Sequence, residues 1–134
     1  MYVEKPDIDA AELAFLRKAV GWDERLDKIR RSAGSCYLRI GCFSAGRLVG
    51  FVEVISDFVD DAYIRNLIVH PDFQRQGIGL RLLQMVAARA RADGIKTMNV
   101  LFEPALTGFY AKAGFTIMCG GLIDNERVSG DQTE

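Results

Sequence analysis

The stretch Val69-His70-Pro71-Asp72-Phe73-Gln74-Arg75-Gln76-Gly77-Ile78-Gly79-Leu80 joins an apolar, strand-like segment to an amphipathic helix through a turn that contains glycine. The first backbone N–H groups of a helix lack intrahelical acceptors and carry partial positive charge, so they suit an anion. Gly77 and Gly79 have no Cβ and would let a diphosphate approach the backbone closely. Arg75 adds a positive charge, and its two flanking glutamines add neutral donors. The stretch predicts a phosphate-binding loop.

Hydrophobic periodicity and turn signals predict the elements on either side of this loop. The predicted helices are Ala10 to about Val20, a short helix from near Asp23 to about Ser32–Gly34, Gly77 to about Asp93, and Ala105–Ala113. The predicted strands are Cys36–Ser44, Leu48–Ser56, Ala62–Val69, Lys96–Phe102 and Phe115–Cys119. The long helix connects two of these strands, which should therefore be parallel. The expected fold class is α/β (α+β), with helices flanking a mixed central sheet.

The length and composition of the chain argue against several classes of protein. Its 134 residues fit one domain, predicted over residues 1–123, followed by a polar tail at 124–134. A net charge of −1 argues against a nucleic-acid partner, and no apolar run reaches membrane-spanning length. Three scattered cysteines fit reduced thiols in the cytoplasm, and a single histidine without a Cys-x-x-Cys pair predicts no metal site.

Two motifs in the second half resemble those of a known family. The run Gln74-Arg75-Gln76-Gly77-Ile78-Gly79 is similar to a Q/R-x-x-G-x-G/A loop, and it follows Leu67-Ile68-Val69-His70-Pro71. Gly108-Phe109-Tyr110-Ala111-Lys112-Ala113-Gly114-Phe115 is similar to an F/L-Y-x-x-x-G-F signature. The chain thereby resembles the GNAT superfamily of acyl-CoA-dependent N-acyltransferases. The resemblance implies a sheet of about six strands, in which a splayed parallel pair forms a slot for acyl-CoA.

The resemblance also implies which residues would bind acetyl-CoA as the acyl donor. Backbone groups of Leu67, Ile68 and Val69 would pair with the pantetheine arm as an added strand does. An amide near Leu67 or Ile68 could polarise the thioester carbonyl. The pyrophosphate would bind to consecutive backbone amides, namely those of Gln74, Arg75, Gln76, Gly77, Ile78, Gly79 and Leu80.

Two residues are candidates for proton transfer. Tyr110 matches the family tyrosine near the thioester sulfur, where a phenol could protonate the departing thiolate; the alternative is that it only packs in an apolar helix stripe. Glu53 shares a strand face with Phe51 and Ile55 and could act as a general base, directly or through water. Its alternative is a solvated or hydrogen-bonded structural carboxylate. Glu103 stands where many relatives have an asparagine that contacts the cofactor.

The function predicted from these observations is N-acetyl transfer from acetyl-CoA to a primary amine, by direct attack in a ternary complex. A small-molecule acceptor is expected, and relatives suggest a possible homodimer. Two alternatives stay open: acetylation of a protein N-terminus or lysine, and a non-catalytic acyl-CoA sensor on the same fold.

Overall fold

One sheet with strand order β1-β2-β3-β4-β5 organises the computed structural model, which describes residues 1–126. The strands are β1 Tyr2–Glu4, β2 Leu38–Ser44, β3 Arg47–Ser56, β4 Asp61–Val69 and β5 Thr97–Val100. The helices are α1 Ala10–Ala19, α2 Leu26–Ser32, α3 Ile78–Ala92 and α4 Thr107–Lys112, with 3-10 turns at Pro71–Phe73 and Pro104–Leu106. Neighbouring strands are antiparallel except β4 and β5, which are parallel and connected through α3.

Two apolar clusters cover the two faces of the sheet. Helix α3 buries Leu82 and Val86 against one face, because residues four apart lie on the same side of a helix. On the opposite face, Leu13 and Leu16 of α1 pack against Phe51 of β3. The sheet is thus covered on both faces, and its functional groups must lie at strand ends, at open edges or in gaps between the helices.

The ends of α1 and α3 follow from local chemistry. Asp9 caps α1, its Oδ1 accepting from the Ala11 amide at 3.2 Å, and basic residues lie in the last turn. Gly77, at φ +85°, precedes α3, and Gly94, at φ +79°, follows its end. Both glycines adopt the left-handed conformation that other residues seldom take.

The predicted fold class is confirmed, with two differences in the strands. β1 was not predicted, because three residues at an edge are too few to show periodicity; Tyr2 pairs with Cys42. The strand predicted at Phe115–Cys119 is wrong, since this segment has no ladder partner in residues 1–126. Its apolar and β-branched residues favour a strand locally, but strand formation depends on a partner. Within residues 1–126 the sheet has five strands, close to the predicted number of about six.

Some expectations concern the ends of the chain and its environment. The polar tail was predicted at residues 124–134, and its residues from 127 onward lie outside the part of the chain that the structure describes. Within residues 1–126, none of the helices combines the length and hydropathy needed to cross a bilayer.

Candidate active site

The loop between β4 and α3 is held in shape by its own polar groups. The His70 side chain accepts from the Asp72 amide at 3.1 Å, and Gln74 donates its side-chain amide to the Val69 carbonyl at 2.9 Å. Arg75 has a left-handed backbone with φ +63°. Gln74 therefore orders the loop with its side chain, and its backbone amide contacts the Pro71 carbonyl at 3.4 Å.

The backbone amides that follow are available to a ligand. From Arg75 to Leu80, none of the N–H groups has an acceptor within residues 1–126, and the first bond of the new helix comes from Arg81 to the Gly77 carbonyl. Alternating left-handed residues in such a loop turn successive amides towards one concave surface. All of the predicted pyrophosphate contacts except the Gln74 amide are therefore free, and they lie together at the N-terminus of α3.

The two glycines of the loop differ in their surroundings. A Cβ on Gly77 would meet nothing within 4 Å, but the positive φ would strain any L-residue. A Cβ on Gly79 would lie 3.3 Å from the ring of Phe109, so α4 packs directly against the first turn of α3. This contact connects the two sequence motifs in space.

β4 and β5 separate beyond their first four paired positions. Their ladder runs from Asp61 with Thr97 to Ile64 with Val100, where β5 ends, while β4 continues to Val69. The separation coincides with a β-bulge at Asn66, which has φ +54°. Bulges bend a strand and increase its twist, which moves the second half of β4 away from β5. The second half of β4 therefore has an unpaired edge where the family resemblance implies the slot.

The register with β3 decides which backbone groups face the slot. The His70 amide donates to the Val49 carbonyl at 2.8 Å, so the neighbouring pair of Val69 with Gly50 does not exchange hydrogen bonds. By the alternation of a strand, the polar backbone groups of Leu67 and Val69 point to the open edge, whereas those of Ile68 point to β3. The Ile68 side chain is buried in the core. Of the two amides predicted to polarise the thioester, that of Leu67 therefore points to the open edge and that of Ile68 does not.

Tyr110 lies on α4 among aromatic rings. Its ring stacks on Phe102 at 4.4 Å between centroids and meets Phe109 and Phe115 edge-on. The side chain is buried, and its hydroxyl has no hydrogen-bond partner within residues 1–126. Burial, and then the proximity of Tyr63, raises the pKa of Tyr110 above its ordinary value. The phenol is therefore protonated at neutral pH and can donate.

Glu53 is buried at the centre of a polar cluster. Its Oε1 accepts from Arg65 Nε at 2.7 Å and from Asn66 Nδ2 at 2.5 Å. Its Oε2 accepts from the Cys36 thiol at 3.2 Å and lies 3.8 Å from Arg39 Nε. Both carboxylate oxygens thus already accept hydrogen bonds, which favours the structural alternative for this residue over the general base.

The Glu53 carboxylate changes the acidity of two neighbours. Burial acts to lower the pKa of Arg65, but the adjacent Glu53 carboxylate outweighs it and the pKa is raised. Burial, together with Glu53, raises the pKa of the Cys36 thiol, which keeps this cysteine protonated and unreactive.

This cluster forms the floor of a cavity of about 200 Å³ between the sheet and helices α1 and α2. The cavity reaches Arg65 and Asn66 of β4, the residues immediately before Leu67. Sequence reasoning singled out Glu53 but not its partners Arg65, Asn66 and Arg39. The sequence signal that could have found these partners is the pairing of opposite charges across strands. Paired positions on three neighbouring strands are occupied by Arg39, Glu53 and Arg65.

A splayed parallel strand pair beside a loop of free amides is the architecture of an acyltransferase-type α+β fold. The chain belongs to the Acetyltransferase (GNAT) family, whose model matches residues 7–115. The family resemblance seen in the sequence is thereby confirmed.

Individual relatives agree with this assignment. The chain is 33% identical over 114 residues to an uncharacterized N-acetyltransferase, ycf52, of Porphyra purpurea, covering 81% of this chain and 66% of the relative. It therefore spans about two thirds of the length of this relative. A probable acetyltransferase of unknown function from Staphylococcus aureus has the same fold, with a TM-score of 0.82 at 16% identity, covering 93% of this chain and 99% of the other. A GNAT family acetyltransferase from Brucella melitensis, solved with acetyl-CoA, gives a TM-score of 0.69 at 19% identity, with 87% and 82% coverage.

Proposed function

We propose that this protein is an acetyl-CoA-dependent N-acetyltransferase that acetylates a primary amine of a small molecule. The observation that carries the proposal is the row of free amides from Arg75 to Leu80 at the end of a strand with an open edge. Such amides and the N-terminus of a 15-residue helix suit a pyrophosphate. The acetyl-CoA complex of the Brucella melitensis relative supports the choice of cofactor.

In the proposed complex, the cofactor lies along the open edge of β4. The pyrophosphate accepts from the loop amides, and the Arg75 side chain adds a positive charge. The backbone groups of Leu67 and Val69 pair with the pantetheine arm, as the edge of a sheet pairs with an added strand. The Leu67 amide is then placed to donate to the thioester carbonyl oxygen, where negative charge develops during the reaction.

The proposed reaction is direct attack in a ternary complex. The neutral amine nitrogen attacks the thioester carbonyl carbon and forms the new C–N bond. The C–S bond then breaks, and the thiolate takes the proton of the Tyr110 hydroxyl. The proton lost from the attacking nitrogen passes to water, and proton exchange with solvent restores Tyr110.

The proposal also includes the acceptor substrate, the cellular compartment and the oligomeric state. The 200 Å³ cavity beside the slot suits a small molecule better than a folded protein surface, which supports a metabolite-sized amine. All three cysteines lie within residues 1–126 and are unpaired, which supports the reducing cytoplasm. A homodimer would be consistent with the usual symmetry of soluble proteins.

The test combines binding with turnover. Calorimetry with acetyl-CoA should register binding, and a thiol-release assay with a panel of primary amines should show acceptor-dependent release of coenzyme A. Binding without release by any amine would favour the acyl-CoA sensor, and release only with peptides would favour a protein acetyltransferase. Folded protein that binds neither coenzyme A nor its thioesters would refute the proposal.

A further inference from the structure

The cavity between the sheet and helices α1 and α2 is strongly basic. Five basic side chains and one acidic side chain line it: Arg17, Arg25, Lys28, Arg39, Arg65 and Glu53. The whole chain, by contrast, has a net charge of −1. Positive charge is therefore concentrated at this one concave surface, where low-dielectric walls strengthen the attraction of an anion.

Glu53 does not satisfy all of these cations. It accepts a hydrogen bond from Arg65, but Arg39 Nε is 3.8 Å away, buried, and without a hydrogen-bond partner in the described part of the chain. The Arg17 guanidinium already has two acceptors, because it donates to the Asp23 carbonyl at 2.6 Å and to Asn66 Oδ1 at 2.7 Å. Arg39 Nε itself is enclosed, but the Arg39 side chain is 15% exposed and lines the cavity, so its positive charge can attract an anion there.

A carboxylate of the chain itself contacts two of the cations that line this cavity. Glu126 pairs with Arg25 Nη2 at 3.1 and 3.2 Å and also accepts from Lys28 Nζ. All three side chains are well exposed, so this contact is weak and can be displaced. The contact shows that Arg25 and Lys28 lie close enough together to share one carboxylate.

We propose that the acceptor is a small primary amine that also carries a carboxylate or phosphate group, which binds Arg25, Lys28 and Arg39 and displaces Glu126. This inference rests on the proposed function, because it treats the cavity as the acceptor site. Arg65 and Asn66 line the cavity and directly precede Leu67 at the slot, so an acceptor anchored by its anionic end can direct its amine towards the thioester.

The experiment compares matched amines that differ only in the anion. The CoA-saturated protein, which cannot turn over, is titrated calorimetrically with γ-aminobutyrate against its amide, and with phosphoethanolamine against ethanolamine. We expect the anionic member of at least one pair to bind 10-fold or more tightly, with a preference that decreases as salt is added. The two pairs distinguish a carboxylate from a phosphate as the anion.

Three variants test whether the cavity residues cause this preference for the anionic amine. Lys28→Met should weaken binding of the anionic amine about 3- to 10-fold without affecting the neutral one. Glu126→Gln should strengthen it about 2- to 5-fold, because the competing carboxylate is neutralised. Arg31→Met, which removes an exposed cation of the same helix paired with Asp27, is the matched control and should change neither affinity.

The outcomes separate this inference from the proposed function. If CoA binds but the anionic and neutral amines bind equally, or if Lys28→Met behaves as Arg31→Met does, the anionic acceptor is refuted and the acetyltransferase assignment stands. If no coenzyme A thioester binds, the proposed function fails, and the same titrations without CoA still report whether the cavity binds anions.

Discussion

Replacing Glu53 with Gln tests whether this carboxylate holds the arginines of the cavity in place or removes a proton from the acceptor amine. The substitution keeps the size of the side chain and removes its charge. A Gln oxygen can still accept from Arg65 or Asn66, but the Gln amide group must face the Cys36 thiol or Arg39, which are themselves donors. The guanidinium groups of Arg39 and Arg65 then lose the one carboxylate that pairs with them in the described residues 1–126.

The expected loss of stability in Glu53→Gln depends on how deeply Arg39 and Arg65 are buried. Removing one member of a buried ion pair costs about 3–5 kcal/mol. The Arg65 side chain is 32% exposed, so water replaces part of the lost interaction, whereas the Arg39 side chain is 15% exposed. We therefore expect the free energy of unfolding to decrease by about 2–3 kcal/mol. In a domain of this size that corresponds to a decrease in Tm of roughly 10 °C.

Urea unfolding measures the stability, and steady-state kinetics at saturating acetyl-CoA measure the activity. A structural role predicts that kcat changes by less than about tenfold and that the dependence of kcat/KM on pH keeps its shape. A general base predicts a decrease in kcat of about 10²–10⁴-fold and loss of the ascending limb of the pH profile. Asp27→Asn, in an exposed pair with Arg31, is the control and should change stability by less than about 0.5 kcal/mol.

A second substitution tests directly whether Glu53 compensates the charge of Arg65. If Glu53 compensates the charge of Arg65, then Arg65→Met in the Glu53→Gln background removes an uncompensated buried cation. The double variant should recover stability relative to Glu53→Gln alone, with a coupling energy of about 1–3 kcal/mol. Additive destabilisation, combined with a large loss of kcat in Glu53→Gln, would refute the structural role and restore the general base.

Three further predictions concern the cofactor loop, the acid and the pH dependence of stability. Tyr110→Phe should lower kcat about 10²-fold with little effect on the KM for acetyl-CoA, because it removes only the donated proton; equal kinetics would exclude the acid role. Since burial raises the pKa of Tyr110, any descending limb of kcat in the wild type should lie above pH 10. Gly77→Val should weaken acetyl-CoA binding at least 10-fold in calorimetry, whereas Gly77→Asn, which tolerates a positive φ, should weaken it less. Burial, together with the hydrogen bond to Asp93, raises the pKa of Tyr37 to about 12. Because the folded-state pKa exceeds the unfolded value of about 10, this contribution is complete below pH 10 and is lost between pH 10 and 12. Urea unfolding over that range should show a steeper loss for the wild type than for Tyr37→Phe.

The parts of the site that the sequence predicted are those built from local signals. The loop from Gln74 to Leu80 follows from two glycines, a helix start and a preceding strand, all of which act within a dozen residues. The packing of Phe109 against Gly79 could be anticipated only through the family motif. Local chemistry also placed the helix caps and the hairpin of β2 and β3 to within about two residues.

The parts that were missed depend on contacts between distant segments. The cluster around Glu53 joins residues from the start of β2 to the middle of β4, and no periodic pattern encodes that arrangement. The strand predicted at Phe115–Cys119 had the right residue types but no partner, and β1 gained a partner despite its length. The outward orientation of the Leu67 backbone depends on the register with β3, which a one-residue shift would reverse.

The bulge at Asn66 connects the cofactor slot to the basic cavity. Its positive φ is one that asparagine tolerates better than most residues, and the extra residue turns the second half of β4 away from β5. The Asn66 side chain points to the cavity, where it donates to Glu53 at 2.5 Å and accepts from Arg17 at 2.7 Å. These two hydrogen bonds help to hold Asn66 in its left-handed conformation, so loss of one of them weakens the support of the bulge. Asn66 therefore contributes to both features, because its backbone forms the bulge in β4 and its side chain lines the basic cavity.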